Sequence, residues 1–313
     1  MCNSKRFRRI SLLLIFSFLL TSCSPAPNLT EVTYISDMKE SDKPFHIVET
    51  QRFSLSESQF PQDFTLSHNR LLVCDRSVHN VLIYTRDGAY LGKLAENDEL
   101  SFPVAVNIDE KGHIFVLDEG ENAILEFNKE DKFLKAYPLL FNKGDISGLS
   151  SFVIEDDDFY IATKSYKRNG LYKMGRDGAY SLFFEGYIGF TSIIKNQIFM
   201  TNSFYLENDN SITSGHSKLG LLNDNQCTEY QLLDRLVPVD FVPFHDKILV
   251  SCYGNGAINL FDRNKLTVAK IYPISSKTKE ATFIWHMDID EEKGDLFYID
   301  TGSNEMVKAH INE

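Results

Sequence analysis

The sequence predicts an all-β fold of six repeats, and three observations lead to this prediction. Short apolar runs that end in a small or polar residue recur 39 to 50 residues apart, with last residues Asp75, Asp118, Thr163, Asn202, Cys252 and Asp300. Each run belongs to a group of short apolar segments separated by turn residues. No segment after the N-terminus has the period of an amphipathic helix. Together these features predict a six-bladed β-propeller of four-stranded blades.

The chain begins with the features of a lipoprotein signal peptide. Basic residues open it, and an apolar run over 10–20 follows that is too short to be a stable membrane span. Leu20-Thr21-Ser22-Cys23 then matches a bacterial lipobox, where the signal is cut before a cysteine that becomes acylated. We predict residues 1–22 as the signal and Cys23 as the site of lipidation by palmitate-type chains. An ordinary secretory signal that leaves Cys23 as a free thiol is the alternative.

The two ends of the mature chain are predicted to have different roles. Residues 23–43, rich in Pro, Ser and Asp, are predicted to be a flexible tether between the lipid and a propeller over 44–313. The last repeat has only three predicted strands before the chain ends: Ile284–Asp290, Asp295–Asp300 and Glu305–Ile311. A lone strand over about 45–53 precedes the first repeat. Pairing it with the last repeat supplies the missing fourth strand and removes an exposed sheet edge.

The second repeat shows the four-stranded unit most clearly. Alternation and β-branched or aromatic content predict its strands over Val104–Asp109, His113–Asp118, Ala123–Asn128 and Phe133–Pro138. In the first and third repeats, Arg86-Asp87-Gly88 and Arg176-Asp177-Gly178 precede the fourth strand. Asp-Gly is a strong hairpin signal, so these turns support the assignment of antiparallel strands.

One cluster of reactive residue types is interpreted as architecture. Cys74, Asp75 and His79 are the types that make a nucleophile, an orienting acid and a base. However, the aspartate recurs at Asp118 and Asp300, where neither a cysteine nor a histidine accompanies it. An aspartate that leads into a turn accepts hydrogen bonds from nearby backbone N–H groups. We therefore interpret Asp75 as a turn cap, Cys74 as a small core residue and His79 as a solvated loop residue.

The repeats resemble a known family of propellers. The segments VCDRSVHNVLIYTRDGAYLGKL and VLDEGENAILEFNKEDKFLKAY resemble NHL-type repeats, which read apolar–Asp, polar loop, strand, Asp-Gly-type turn, strand. With the lipobox, the chain is similar to the six-bladed propeller lipoproteins of Gram-negative anaerobes, including the TolB-like group. The resemblance covers about residues 45–313. It implies a six-bladed fold at the cell envelope and, because that family has no common activity, it implies no catalytic residue.

Charge and cysteine content exclude several classes of function. The chain has 32 basic and 44 acidic side chains, and loss of the signal leaves a net charge of −16. Such a charge argues against nucleic acid as a partner. Three cysteines remain beside Cys23, an odd number that cannot form a disulfide framework, and none has a metal-ligand spacing. We expect no cofactor and no metal site.

A polar site is predicted at one mouth of the central channel, which the innermost strand of each blade lines. Alignment of these strands places six residues at one level: Asp63, Ala105, Ser151, Thr191, Asp240 and His286. Asp63, Asp240 and His286 belong to neighbouring blades of the closed ring, and Trp285, next to His286, is predicted to contact a ligand there. Two converging carboxylates and an imidazole can bind a cation or act as acid and base. The alternative is a hydrated channel whose polar groups need solvation.

The fourth repeat carries an insertion, SFYLENDNSITSGHS over 203–217, that lengthens one loop. Long loops on rigid scaffolds often carry recognition, so Phe204 and Tyr205 are predicted to stack on a sugar or on a protein partner. Glu207 and Asp209 are oxygen donors that suit calcium, but their spacing is not that of an EF-hand. A solvated loop without a ligand is the alternative.

We expect an envelope lipoprotein, anchored in the outer membrane through Cys23 and facing the periplasm, whose propeller binds a protein or glycan partner without catalysis. The sequence contains no P-loop, GxSxG, HExxH or paired CxxC motif. Ser24 follows Cys23, in place of an aspartate that would indicate retention in the inner membrane. The alternative function is that of a hydrolase or lyase with Asp63, Asp240 and His286 at the channel mouth.

Overall fold

The strands are the only regular structure in the part of the chain that the structure describes. A computed structural model describes residues 28–34, 46–97, 99–139, 148–163, 170–185, 191–194, 197–202, 205–206, 212–213, 218–223, 226–231, 237–253, 257–262, 268–273, 284–300 and 303–312. Within these ranges no helix is long and apolar enough to cross a bilayer. The predicted all-β fold is confirmed.

Three sheets of four consecutive antiparallel strands follow one another along the chain. Sheet 1 contains β3 (Pro61–Ser67), β4 (Arg70–Asp75), β5 (Asn80–Thr85) and β6 (Tyr90–Lys93). Sheet 2 contains β7 (Pro103–Ile108), β8 (Ile114–Asp118), β9 (Ala123–Phe127) and β10 (Phe133–Pro138). Sheet 3 contains β11 (Leu149–Glu155), β12 (Asp158–Thr163), β13 (Gly170–Met174) and β14 (Tyr180–Glu185).

Sheet 4 differs from the others by an inserted hairpin and an added strand. Its main strands are β15 (Thr191–Ile194), β16 (Gln197–Asn202), β19 (Lys218–Asn223) and β20 (Gln226–Gln231). The hairpin, within the predicted insertion, consists of β17 (Tyr205–Leu206) and β18 (Ile212–Thr213). Strand β1 (Asn28–Tyr34), inside the segment predicted as a tether, pairs parallel with the outer strand β20.

Sheet 6 is completed by a strand from the other end of the chain. Sheet 5 contains β21 (Val237–Phe244), β22 (Lys247–Tyr253), β23 (Ala257–Asp262) and β24 (Val268–Pro273). Sheet 6 contains β25 (Ile284–Asp290), β26 (Asp295–Asp300), β27 (Glu305–Asn312) and β2 (His46–Ser54). Strand β2 pairs antiparallel with β27 along its whole length. The prediction that an N-terminal strand completes the last sheet is confirmed.

The innermost strands form a closed ring around a central channel. Each of them contacts the next in the cyclic order β3, β7, β11, β15, β21, β25, and β25 contacts β3 again. We call the end of the sheets where the innermost strands begin the upper face, marked in sheet 1 by Pro61 opposite Asp75. The lower face is the other end, marked by Ser67 opposite Arg70. The β17–β18 hairpin joins the second and third strands of sheet 4, so it lies at the upper face.

The hydrophobic core lies between neighbouring sheets. Leu72 and Val81 of sheet 1 pack with Val116 and Leu125 of sheet 2, and equivalent clusters lie between sheets 2 and 3, 5 and 6, and 6 and 1. A middle strand is covered on both faces, so its apolar residues form a continuous run. All residues of β8 are accordingly buried. This packing holds the sheets, and thus the channel, in a fixed geometry.

Candidate functional site

The channel brings together the three residues that the strand alignment singled out. Asp63 Oδ1 lies 3.2 Å from His286 Nδ1, and Asp240 Oδ2 lies 3.8 Å from the same nitrogen. The three side chains come from β3, β21 and β25, which are neighbours in the ring. The imidazole therefore stands between two carboxylates, close to the upper face. Their role as a site remains a prediction.

Most of the aligned level lines one narrow cavity. Ala105 and Ser151 line it together with Asp63, Asp240 and His286, and its volume is about 160 Å³. The side chain of Thr191, the remaining member of the level, lies outside the described residues. Typical sites for small organic ligands enclose about 300–1,000 Å³. The described channel is thus small for an organic substrate.

The two carboxylates of this level bond to the backbone of the next sheet. Asp63 Oδ2 accepts a hydrogen bond of 2.9 Å from the N–H of Val106 on β7. Asp240 Oδ2 accepts one of 2.7 Å from the N–H of Met287 on β25, and its Oδ1 accepts one from the N–H of Phe241. Because the bonds from Val106 and Met287 cross from one innermost strand to the next, these side chains link neighbouring sheets.

Two further residues make the same kind of link, and the sequence reasoning missed them. Asp288 Oδ2 accepts hydrogen bonds from the N–H of Leu66 (2.7 Å) and the hydroxyl of Thr65 (3.1 Å), both on β3. Asn107 Nδ2 donates to the carbonyl of Phe152 on β11 at 3.0 Å. Both lie two residues after the aligned level, on the same side of their strands. A polar residue at that second position was the signal that could have found them.

Burial and mutual repulsion raise the pKa of the acidic groups of the channel. Burial, together with the nearby charge of Asp240, raises the pKa of Asp63 well above its usual value. Burial and the charge of Asp288 raise the pKa of Asp240 to about 7, and burial also raises the pKa of Asp288. The three carboxyl groups therefore do not all ionise at neutral pH. The Asp63–His286 pair can hold and pass a proton, which is the chemistry that the arrangement offers.

No set of metal ligands stands out in the part of the chain that the structure describes. Within those ranges no group of three or more His, Cys, Asp and Glu side chains is arranged to hold a metal ion. In the channel, the oxygens of Asp63 and Asp240 that point toward neighbouring strands already accept backbone hydrogen bonds. The other Asp63 oxygen, Oδ1, faces His286.

Cys74, Asp75 and His79 are placed as structural residues. The Asp75 carboxylate accepts hydrogen bonds from the backbone N–H groups of Gln59 and Phe60 before β3 and of Ser77 after β4. Burial raises the pKa of Asp75, but hydrogen bonds from Ser58 and Ser77 outweigh burial and lower it. The Cys74 thiol is buried, and burial raises its pKa. His79 is exposed, and its Nδ1 lies 2.5 Å from the carbonyl of Ser101.

Several predicted site residues cannot be placed. Cys23 and Phe204 lie outside the described residues. Trp285 belongs to β25 and Tyr205 to β17, but their side chains are also outside the described part. Lipidation at Cys23 and ligand binding by the three aromatic residues therefore remain predictions.

Solved structures with similar folds cover nearly the whole chain. One is a catalytically inactive histidine-to-alanine variant of virginiamycin B lyase from Staphylococcus aureus with quinupristin (14% identity, TM-score 0.57, covering 85% of this chain and 99% of that one). Another is a gluconolactonase from Xanthomonas campestris (11%, 0.61, 89% and 98%). A third is an exported protein from Bacteroides fragilis (12%, 0.59, 90% and 99%). The chain is a β-propeller.

These similarities establish the fold alone, because the sequence identities are low. No protein-family model and no curated protein matches the chain. The propellers with similar structures include enzymes, one a lyase and one a gluconolactonase. The same architecture therefore supports more than one kind of function.

Proposed function

We propose that this protein is a binding module of the cell envelope that acts without catalysis and offers its upper face to a protein or glycan partner. One observation carries the proposal: the channel carboxylates are engaged with the backbone of neighbouring strands, around a cavity of about 160 Å³. A catalytic site needs room for a substrate beside its acid and base, and this cavity is small for an organic one. The upper face, with the β17–β18 hairpin, offers a larger surface.

The position of the N-terminus supports an orientation in which the lower face lies toward the membrane and the upper face points away from it. Strand β1 begins at Asn28, opposite Gln226, where β20 leaves the lower face. Cys23 precedes Asn28 by five residues, a reach of at most about 18 Å for extended chain. A lipid on Cys23 therefore holds the lower face toward the membrane, and the upper face points away from it. We place the protein at the outer membrane, facing the periplasm, with NHL-like and TolB-like propeller lipoproteins as its relatives.

Lipidation is tested by labelling the full chain with a palmitate analogue in a Gram-negative host. The expected result is a labelled protein in the membrane fraction, and loss of both the label and the membrane association in Cys23→Ser. The matched control is Cys2→Ser, because Cys2 lies at the start of the predicted signal, outside the lipobox, and its change should leave both unchanged. Label on the Cys23→Ser protein would overturn the anchor.

The binding function is tested by affinity capture with residues 24–313 on detergent-solubilised envelope proteins and on a glycan array. We expect a partner that is retained by the wild type and lost when the β17–β18 hairpin is replaced by a short turn. Asp63→Asn, in the channel, serves as the comparison and should keep the partner. Capture that depends on Asp63 and not on the hairpin would place the function in the channel.

The second candidate is a hydrolase or lyase with its site at the channel mouth. The observation in its favour is His286, whose Nδ1 lies 3.2 Å from a carboxylate oxygen of Asp63, an arrangement for acid–base catalysis. Similar propellers include a lyase that a histidine-to-alanine change inactivates and a gluconolactonase. Turnover of a sugar lactone or a cyclic depsipeptide that is lost in His286→Ala would establish this candidate and exclude the first.

A further inference from the structure

The most exposed aromatic side chain among the described residues lies at the upper face. Phe60 is 60% exposed and directly precedes Pro61, the first residue of β3. Its backbone is fixed, because the Asp75 carboxylate accepts hydrogen bonds from the N–H groups of Gln59 (2.8 Å) and Phe60 (2.9 Å). A bare aromatic ring on a rigid backbone loses little conformational entropy when a ligand covers it.

The next repeat contains the same arrangement, with its ring covered. Phe102 precedes Pro103, the first residue of β7, and its N–H donates to the carboxylate of Asp118 at 2.9 Å. Over the Phe102 ring lies the guanidinium of Arg76, with Cζ 3.6 Å from the ring centroid. Arg76 directly follows Asp75 in the preceding sheet. The fold thus shows which group this aromatic position accepts: a planar cation stacked on the ring.

The equivalent cation for Phe60 is missing from the sequence. Its preceding sheet is sheet 6, where the aspartate that corresponds to Asp75 is Asp300. The residue that follows Asp300 is Thr301, which carries no charge. Within the described residues, no Lys or Arg lies over the Phe60 ring. Phe60 therefore offers the platform that Phe102 offers, without an internal cation.

The local charge also suits a cation. Glu57, three residues before Phe60 in the sequence, is an exposed carboxylate. The chain has a net charge of −12, so a basic partner is attracted from a distance as well. A sugar can also stack on an aromatic ring, but a neutral sugar is not attracted by the net negative charge as a cation is.

We propose that Phe60 is the docking point for an arginine side chain of a basic protein partner. This inference rests on the proposed binding function and names the chemistry of the partner. The guanidinium stacks on the Phe60 ring as Arg76 stacks on Phe102, and the net negative charge of the chain attracts the basic partner.

The experiment selects random dodecapeptides on phage against residues 24–313 and measures the affinities of the selected peptides by calorimetry. We expect enrichment in arginine and at least about fivefold weaker binding when that arginine is replaced by citrulline, which has its shape without its charge. Phe60→Ala and Phe60→Leu should cause a similar loss, and Phe60→Tyr should not. Phe133→Ala, which removes an exposed ring on the outer strand β10, is the matched control and should bind like the wild type.

The outcomes separate this inference from the proposed function. Peptides without arginine, or binding that Phe60→Ala leaves unchanged, overturn the inference and leave a binding module with another docking point. Glycans that bind through Phe60 in place of peptides overturn it in the same way, since the platform then takes a sugar. Failure of the wild-type protein to bind any peptide or glycan overturns both. Because Phe60 is exposed, its variants should unfold at the wild-type temperature, which verifies that they are folded.

Discussion

At the residue scale, the channel illustrates how buried acids can be structural. A carboxylate that leaves water loses hydration, and hydrogen bonds must compensate for this loss. Asp63, Asp240 and Asp288 each find a backbone N–H on the neighbouring innermost strand. The compensation is incomplete, because burial still raises the pKa of all three groups. These carboxyl groups link adjacent sheets, and their raised pKa means that they bind a proton more tightly than a solvated aspartate does.

The raised pKa of Asp240 predicts how stability depends on pH. Its pKa is about 7 in the folded chain against 3.8 without perturbation, so the folded state binds the proton more tightly. Its contribution to stability is complete below about pH 4 and is lost as the pH rises through 7. The loss should reach roughly 4 kcal/mol. Urea denaturation at pH 5 and at pH 7.5 measures this loss as the decrease in the free energy of unfolding between the two pH values. We expect the decrease to be about 2–3 kcal/mol smaller in Asp240→Asn than in the wild type.

The control for this prediction is Asp87→Asn, since Asp87 is exposed in a hairpin turn. It should leave the pH dependence as it is in the wild type. Asp63, Asp288 and His286 share the channel, so part of the dependence should persist in Asp240→Asn. If the free energy of unfolding depended on pH equally in Asp240→Asn and in the wild type, ionisation of Asp240 would not destabilise the folded state.

Sequence alone could predict part of this site. The six inner strands align without a gap at one level, so Asp63, Asp240 and His286 could be placed together from their spacing. Asp288 was missed because the alignment considered one level, although its side chain points to the same side. What sequence could not supply is the partner of each carboxylate. A hydrogen bond to the N–H of Val106 depends on the distance between sheets, which packing determines.

At the scale of elements, strand β2 completes sheet 6 through side-chain contacts as well as through backbone hydrogen bonds. Arg52 on β2 bonds to Asp300 at 2.6 Å, and the two side chains are 7% and 0% exposed. Phe53 on the same strand lies against Gly88, in the hairpin turn between β5 and β6 of sheet 1. One strand therefore binds its own sheet through Arg52 and the next sheet through Phe53.

Removal of the Arg52 charge should strongly destabilise the fold. Arg52→Met removes the guanidinium from the ion pair with the buried Asp300 carboxylate, and breaking such a buried pair typically costs about 3–5 kcal/mol. Lys293→Met is the matched control, because Lys293 pairs with Asp290 but is 56% exposed, and such a pair is worth less than about 1 kcal/mol. Urea denaturation measures both. Equal, small losses would mean that water reaches Asp300 and that β2 does not hold the closure as described.

A pair of glycine variants tests the contact between β2 and sheet 1. Gly88 and Gly112 both have positive φ, 90° and 82°, so alanine strains both turns to a similar degree, about 1–2 kcal/mol. Only at Gly88 would the added Cβ meet the Phe53 ring. Thermal unfolding should show Gly88→Ala to be less stable than Gly112→Ala by at least about 1 kcal/mol. Equal losses of stability in the two variants would mean that the Phe53 ring does not lie against Gly88.

Elements with strong local signals were predicted well from sequence. The Asp87-Gly88 turn and the continuous apolar run of β8 each follow from local chemistry. The closing strand β2 could be predicted because the last repeat lacked a strand. Strand β1 could not be predicted, because no hairpin turn precedes or follows a parallel edge strand and no repeat lacked a strand that β1 would supply. Its sequence, NLTEVTY, alternates only weakly.

At the scale of the whole molecule, the two faces are proposed to have different roles: the lower face lies toward the membrane and the upper face binds the partner. The chain enters β2 at the lower face, where His46 lies opposite Asn312. The channel cluster, the β17–β18 hairpin and Phe60 lie toward the upper face. The ring itself followed from the repeats, because six units that cannot bury their faces alone must pack side by side. Function did not follow, because a propeller of this kind carries enzymes and other proteins alike.

The most direct test of this account is a high-resolution crystal structure of residues 24–313, grown with divalent metals and glycans present. We predict a channel that holds nothing larger than water, with Asp63, Asp240 and Asp288 bonded to the N–H groups of Val106, Met287 and Leu66. A metal ion or an organic ligand between Asp63, Asp240 and His286, with those bonds broken, would contradict the account and place the function in the channel.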